Sequence, residues 1–224
     1  MFNRLIVALD VDDKKKIKNL VKELAPKGFK FKVGLISFTK FGPSLVKELV
    51  NQNIDVFLDL KLFDIPNTMC KTARIITKLG CWAFTVHIKA GRQSLEAVKK
   101  EVEEVAKNKK IRKPLILGVT ELTSQNTSPF KVLNLAKIAL ECGLDGVICS
   151  ANDLKLLKTK IKNKSFLFVS PAVRLEKIAG DDQKRIATVR EAKALGADYM
   201  VIGRPILEAK DINLVLEKIR SELK

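Results

Sequence analysis

Two carboxylates and one ammonium group lie close together in residues 59–68, which read DLKLFDIPNT and follow the apolar, β-rich residues 54–58. Because side chains alternate along a strand, Asp59 and Lys61 share one face, with Cα atoms about 6.6 Å apart, and Asp64 can fold back from the turn. A lysine bracketed by carboxylates stays protonated, so it can stabilise negative charge or donate a proton. Exposed ion pairs are common on protein surfaces, but the position directly after an apolar strand favours a catalytic site.

Apolar strand-like segments alternate with helix-like segments from residue 4 onward, which is typical of a parallel sheet wrapped by helices. Eight such units in 224 residues predict an α/β fold, a (β/α)₈ TIM barrel forming a single domain over residues 1–224. The G-x-G-x-x-G signal of a dinucleotide-binding sheet is absent from the sequence. The predicted strands are 4–10, 29–34, 54–61, 82–87, 114–120, 146–150, 166–170 and 199–203.

Polar side chains follow or end several of these predicted strands. In a (β/α)₈ barrel the carboxyl ends of all strands open on one face, so residues that are distant in sequence become neighbours there. We therefore expect one active site at this face. The strand-end residues that would converge are Asp10, Lys32, Asp59, Lys61, His87 and Thr120.

The composition narrows the classes of function. The net charge of +17 could attract nucleic acid, but the lysines are spread over nearly every predicted helix, which favours a solvated surface and no nucleic-acid partner. Four cysteines without a C-x-x-C pair and one histidine do not predict a metal site. Since no apolar run approaches the ~20 residues of a membrane span and the chain enters a strand at once, we expect a cytoplasmic protein without membrane contact.

Seven sequence blocks, taken in order, resemble the orotidine 5′-phosphate decarboxylase family, the cofactor-free bacterial enzymes that make uridine monophosphate (UMP) in de novo pyrimidine biosynthesis. The pairing of DxKxxDIxNT with DDQxR is the most specific part of the match, which covers nearly the whole chain. The blocks are VALDVDD, FKVG, DLKLFDIPNT, GVTELTS, GVICSA, DDQKR and ADYMVIGRPI.

The resemblance implies a role for most of the polar residues singled out above. Lys61 would protonate the carbanion left by decarboxylation, and Asp59 would lie near the departing carboxylate. His87 would either cap a hydrogen-bond network or support catalysis. The remaining implied roles are ribose binding and the charge network for Asp10 and Lys32, pyrimidine contacts for Thr123 and Ser124, and phosphate binding for Arg174, Gln183, Gly203 and Arg204.

The resemblance also implies a homodimer with two shared active sites, in which Asp64, Ile65 and Thr68 of one subunit reach the site of the other. The sequence departs from the family pattern in two places. After His87 it reads IKAGRQSL in place of a short glycine-rich segment, and Ala172 in SPAVR replaces a more usual glycine. Ala172 restricts the backbone there, but the spacing of Pro171 and Arg174 is kept, so we expect activity to be retained.

Two other functions stay open at this point. Magnesium-dependent sugar-phosphate decarboxylases and lyases of the same suprafamily also carry DxKxxD, but they place an acidic metal ligand after the second strand, where this chain has Lys32. A cation at that position is a poor ligand for Mg²⁺. The second alternative is a basic barrel that binds nucleic acid or a membrane surface and no longer catalyses a reaction.

Overall fold

A closed barrel of eight parallel strands forms the centre of the molecule in a computed structural model that describes residues 2–175 and 187–223. The fold class predicted from the sequence is confirmed. The strands are β1 (Leu5–Ala8), β2 (Lys30–Val33), β3 (Val56–Leu62), β4 (Ala83–His87), β5 (Leu115–Val119), β6 (Gly146–Ile148), β7 (Leu167–Arg174), β8 (Ala187–Thr188) and β9 (Tyr199–Ile202). Strands β1 to β7 follow in order, and β9 closes the barrel between β7 and β1. The two-residue strand β8 pairs with the end of β7.

Helices cover the outside of the barrel. They are α1 (Lys14–Leu24), α2 (Leu35–Asn51), α3 (Pro66–Leu79), α4 (Arg92–Lys109), α5 (Pro129–Glu141), α6 (Ala151–Lys160), α7 (Val189–Ala194), α8 (Arg204–Leu207) and α9 (Ile212–Glu222). Proline at the first position starts α3 and α5, where its missing N–H costs nothing, and Gly80 ends α3 in the left-handed conformation. None of the helices in the described ranges is long and apolar enough to cross a membrane.

Alternation along the strands separates two hydrophobic layers. On β1, Leu5 and Val7 pack in the layer between strands and helices, whereas Ile6 and Ala8 belong to the cluster inside the barrel. Phe57 of β3 joins the inner cluster, and the next inward position on that strand is Asp59. The apolar cluster inside the barrel therefore ends just before the carboxyl ends of the strands. The charged residues lie at those ends.

Two strands differ from the regular geometry predicted from the sequence. The register between β3 and β4 shifts between Leu58 and Leu62, and Lys61 within that stretch has a φ of 52°. Strand β7 runs to Arg174, past the predicted end at residue 170, because pairing resumes at Val173 after an irregularity. Within that irregularity Ala172 has a φ of 57°. Both irregularities re-aim side chains at the carboxyl end of the barrel.

Candidate active site

A chain of alternating charges crosses the carboxyl ends of β1, β2 and β3. Lys61 Nζ donates to Asp59 Oδ2 at 2.9 Å, and Lys32 Nζ lies 3.6 Å from the same oxygen. Lys32 Nζ also donates to Asp10 Oδ1 at 2.8 Å. The parallel register pairs Lys32 with Ala8 of β1 and with Phe57 of β3. Asp10 and Asp59 each lie two residues beyond these partners, so the long side chain of Lys32 reaches up to both carboxylates. The structure therefore brings together the predicted quartet Asp10, Lys32, Asp59 and Lys61.

Thr85 of β4 holds the irregular stretch of β3 in place. Its Oγ1 accepts a hydrogen bond from the backbone N–H of Lys61 at 2.8 Å and donates one to Asp59 Oδ1 at 3.0 Å. A non-glycine residue with positive φ stores strain and persists where its surroundings fix it. Thr85 is fully buried and was not singled out from the sequence. The signal that could have found it is a hydroxyl at an inward position of an otherwise apolar strand next to the charged one.

Asp59 is ionised although it is buried. Burial is the largest single influence and raises the pKa of the carboxyl group, but the charges of Lys32 and Lys61 and the hydrogen bonds from Lys61 and Thr85 together lower it. The side chain of Asp59 is 12% exposed and that of Lys32 is 10% exposed. A fixed anion therefore lies between two ammonium groups in a site largely shielded from water.

Position 34 needs a glycine because the side chains of Asp10 and Lys32 pass close to its backbone. A Cβ atom at this position would lie 2.5 Å from Asp10 Oδ1 and 2.7 Å from Lys32 Nζ. Any larger residue would displace the pair from its present geometry. The sequence places Gly34 at the end of the FKVG block but does not show why glycine is needed there. The need arises from crowding by two side chains that come from different parts of the chain.

A cavity of about 660 Å³ opens above the charge network. Arg174 is buried at the end of β7, and Arg204 begins α8 directly after Gly203. Gln183 lies outside the described residues. The predicted site residues that line the cavity are Asp10, Lys32, Asp59, Lys61, Thr123, Ser124, Arg174, Gly203 and Arg204.

Asp64, Ile65 and Thr68 lie outside this cavity on the exposed start of α3 and the turn before it. In the structure Asp64 is not folded back towards Lys61, so the expectation that it can fold back stays a prediction. Its Oδ1 instead accepts a hydrogen bond from the backbone N–H of Ile65 at 2.7 Å, and the carboxylate is exposed. The local bond forms because the turn places the next N–H within reach of the short side chain.

His87 ends β4 and lies beside the cavity rather than in its wall. Its Nδ1 accepts a hydrogen bond from the backbone N–H of Lys89 at 3.3 Å, and its ring lies 5.2 Å from that of Phe63. Burial, followed by the charge of Lys89, lowers the pKa of the imidazole, and Glu121 opposes this shift. His87 thus caps the turn after β4, and its supporting role in catalysis stays a prediction.

The fold and these contacts define a class of protein, a (β/α)₈-barrel enzyme with its charged site at the carboxyl ends of the strands. Comparison with known proteins makes the assignment specific. The chain belongs to the Orotidine 5′-phosphate decarboxylase / HUMPS family, whose model matches residues 3–219.

Individual relatives are similar over almost their full length. An orotidine 5′-phosphate decarboxylase of Dictyoglomus turgidum is 42% identical over 231 residues, which cover 98% of this chain and 94% of that protein. One of Legionella pneumophila is 39% identical and covers all of both chains. The crystal structure of orotidine 5′-phosphate decarboxylase from Lactobacillus acidophilus superposes with a TM-score of 0.83 at 35% identity, covering 98% of each chain.

Proposed function

We propose that the chain decarboxylates orotidine 5′-phosphate (OMP) to UMP and CO₂ in pyrimidine biosynthesis. The observation that carries the proposal is the ammonium of Lys61, which lies in the cavity wall and is held by the ionised Asp59 at 2.9 Å. Relatives of 38–42% identity that carry the name of this enzyme support the same assignment.

Lys61 has the chemistry that this reaction needs. When the bond between C6 and the carboxylate breaks, the electron pair stays on C6, and no adjacent carbonyl delocalises it. A preorganised ammonium facing C6 stabilises this charge in a site with little water and then transfers its proton to the same carbon. Solvent returns the proton to Lys61 after UMP leaves. Asp59 holds the ammonium of Lys61 in place through the hydrogen bond at 2.9 Å until substrate arrives.

The rest of the cavity is suited to the other parts of the nucleotide. We assign the ribose hydroxyls to Asp10 and Lys32 and the pyrimidine edge to Thr123 and Ser124. Together these groups would orient the substrate so that C6 faces Lys61, and such positioning supplies a large part of catalysis.

We assign the phosphate to the backbone near Gly203 and to the guanidinium groups of Arg174 and Arg204, whose planar donors match phosphate oxygens. This location follows the last barrel strands, where barrels of this kind often bind phosphate. Gln183, proposed as a further phosphate ligand, lies outside the described residues. Binding energy from the phosphate, far from C6, can be used to organise the reacting end.

A homodimer is the second part of the proposal. Asp64, Ile65 and Thr68 would contribute to the site of the partner subunit. Exposed apolar side chains next to them support an interface, since Phe63 is 61% and Ile65 is 65% exposed. Leu35 at the start of α2, which follows the neighbouring strand, is also exposed.

The magnesium-dependent branch of the family is not favoured. The ammonium of Lys32 lies between the carboxylates of Asp10 and Asp59, 2.8 Å from one and 3.6 Å from the other. This position is the one that a divalent cation would need in order to use both carboxylates. Within the described ranges no three His, Cys, Asp or Glu side chains form a group that could hold a metal ion. We propose a reaction without metal or organic cofactor, carried out by a single-domain cytoplasmic enzyme.

A nucleic-acid-binding barrel without activity is also not favoured. Part of the positive charge is matched locally by carboxylates, as where Lys14 and Lys18 both lie 2.9 Å from Glu48. The named relatives along the whole chain are enzymes.

The test is the loss of ultraviolet absorbance of OMP with purified protein in excess EDTA. We expect turnover that is insensitive to the chelator. Folded protein that is inactive with EDTA and regains activity with Mg²⁺, or that acts on a sugar phosphate only, would support the magnesium branch. Inactivity under all these conditions, with salt-dependent retention on nucleic acid, would support the binding function.

A further inference from the structure

Glu121 is a buried carboxylate that the catalytic network does not use. It follows β5 at the rim of the barrel, lines the active-site cavity, and its side chain is 2% exposed. Its Oε2 accepts a hydrogen bond from Lys89 Nζ at 2.8 Å, and its Oε1 lies 2.9 Å from Lys131 Nζ. Lys89 belongs to the turn after β4, and Lys131 to the first turn of α5. One carboxylate thus joins three separate parts of the chain.

Glu121 is ionised, and its negative charge stabilises the contacts with Lys89 and Lys131. Burial is the largest influence and raises the pKa of the carboxyl group, but the hydrogen bond from Lys89 and the charges of Lys89 and Lys131 together lower it. Breaking a buried ion pair leaves an uncompensated charge, which is costly. Movement of Glu121 away from its two lysines is therefore strongly opposed.

The segment held by this junction carries the residues assigned to the pyrimidine. Just before it, Thr120 Oγ1 donates to the carbonyl oxygen of Ile148 at 2.8 Å and fixes the end of β5. Just after it, the backbone N–H of Gln125 donates to the carbonyl oxygen of Leu122 at 3.0 Å and closes a turn. Thr123 and Ser124 lie within that turn and line the cavity.

We propose that Glu121 is a positioning residue for base recognition, which holds residues 122–124 against the pyrimidine through its ion pairs with Lys89 and Lys131. The inference rests on the proposed function, because it takes the ligand to be a pyrimidine nucleotide. Glu121 acts through the loop and does not touch the reacting atoms. Its loss weakens recognition of the base and leaves recognition of the ribose phosphate intact.

The first experiment compares two ligands in one variant. Glu121→Gln keeps the shape of the side chain and removes its charge. We expect its affinity for UMP, measured by calorimetry, to fall about tenfold or more, as expected for the loss of charge-assisted hydrogen bonds. Its affinity for ribose 5-phosphate, which has no base, is expected to stay the same.

Asp145→Asn is the matched control. Asp145 pairs with Lys113 at 2.9 Å and accepts a hydrogen bond from the backbone N–H of Ile116 at 2.8 Å, at the amino end of the barrel. This variant should lose stability and keep both affinities. Lys131→Met removes one of the two ion pairs through an exposed lysine, so it should fold and show a smaller loss of UMP affinity in the same direction. Equal loss of both ligands in Glu121→Gln and Lys131→Met, or no loss of UMP affinity, would overturn the proposal.

A measurement without ligand separates this inference from the proposed function. His87 is the single histidine of the chain, so one imidazole signal reports its titration in nuclear magnetic resonance. Lys61, Lys89 and Glu121 are the charged groups that influence its pKa, and Glu121 alone raises it. In Glu121→Gln we expect a lower pKa of His87 and lower backbone order parameters for Thr123 and Ser124.

The outcomes then distinguish the two claims. If the wild-type protein binds neither UMP nor ribose 5-phosphate, the proposed function fails and the role in base recognition fails with it, even where a looser turn in Glu121→Gln shows that Glu121 fixes residues 122–124. If the wild-type protein binds both ligands and the variant leaves the turn and the UMP affinity unchanged, the positioning role fails and the proposed function stands.

Discussion

Thr85 and Lys61 are joined across two neighbouring strands by a hydrogen bond of 2.8 Å from the Lys61 backbone N–H to the Thr85 hydroxyl oxygen. Lys61 adopts a φ of 52°, and the same hydroxyl donates to Asp59 at 3.0 Å. The geometry of the proposed proton donor and the orientation of its carboxylate partner therefore depend on one threonine of the adjacent strand.

Replacement of Thr85 by valine keeps the shape of the side chain and removes the hydroxyl. The buried N–H of Lys61 then has no acceptor, so we expect a loss of about 1–3 kcal/mol in the free energy of unfolding. Because Asp59 also loses a donor, the decarboxylation rate should fall by roughly 10- to 100-fold. Urea unfolding and an absorbance assay measure the two effects.

Thr77→Val is the control for that change. Thr77 is also fully buried, but its hydroxyl donates to the carbonyl oxygen of Ala73 within α3. This variant should lose stability without losing activity. If Thr85→Val decarboxylates at the rate of Thr77→Val, the proposed role of Thr85 in the site is wrong.

Much of this arrangement was predictable from the sequence, because hydrophobic periodicity determines the alternation of strands and helices and a barrel brings strand ends together. Asp10, Lys32, Asp59 and Lys61 could be placed in one site for that reason. Thr85 could not, because its importance depends on a register shift between β3 and β4 that no local pattern records.

Gly34 and Glu121 were missed for a related reason. The need for glycine at position 34 arises from the positions of two charged side chains on different strands. Glu121 is one of many charged residues in the sequence, and only its burial between lysines of two other elements distinguishes it. The hydrogen bond from the Ile65 backbone N–H to the Asp64 carboxylate could not be predicted either, because the sequence does not record which way a short side chain points in the turn.

Ala172 offers a test of backbone strain beside the cavity. Its φ of 57° lies in the left-handed region, which costs a residue with a Cβ atom roughly 1 kcal/mol or more relative to glycine. We expect Ala172→Gly to raise the free energy of unfolding by roughly 1 kcal/mol. Urea unfolding measures the sign of this change. Ala136→Gly within α5 is the control and should lower the free energy of unfolding by about 1 kcal/mol. Destabilisation by Ala172→Gly would contradict the strain.

The lowered pKa of Asp59 predicts that the free energy of unfolding depends on pH. Its pKa in the folded chain lies below the ordinary value of 3.8, so the ionised carboxylate contributes stability that is present above about pH 3.8 and is lost as the pH falls through the lower folded value. Asp59→Asn should therefore be less stable than the wild type at pH 7, and the difference in unfolding free energy should shrink towards pH 3. Urea unfolding at both pH values measures it. A difference that is constant with pH would show that Asp59 does not contribute as an anion.

The shared active site predicts complementation between two inactive chains. Lys61→Ala lacks the proposed proton donor, and Asp64→Ala lacks the residue proposed to cross the interface. A dimer of one chain of each kind rebuilds one intact site of two, so mixing after co-expression or subunit exchange should restore part of the activity.

The control mixes Lys61→Ala with a chain that carries both substitutions, which leaves every site incomplete and should stay inactive. Heterodimers are verified by different affinity tags on the two chains. Absence of activity in verified heterodimers of the first kind would refute the contribution of Asp64 across the interface.

The most direct test of the central claim is the decarboxylation rate of Lys61→Ala, measured together with its affinity for UMP. We expect the rate to fall by roughly 10⁴-fold or more, because the variant loses both the charge facing C6 and the proton for it, while UMP binding stays measurable. Lys30→Met is the control, since Lys30 pairs with Asp55 at 2.5 Å at the amino end of the barrel and should leave activity unchanged. A Lys61→Ala protein that binds UMP and decarboxylates within about tenfold of the wild-type rate would contradict the assignment of Lys61 as the proton donor.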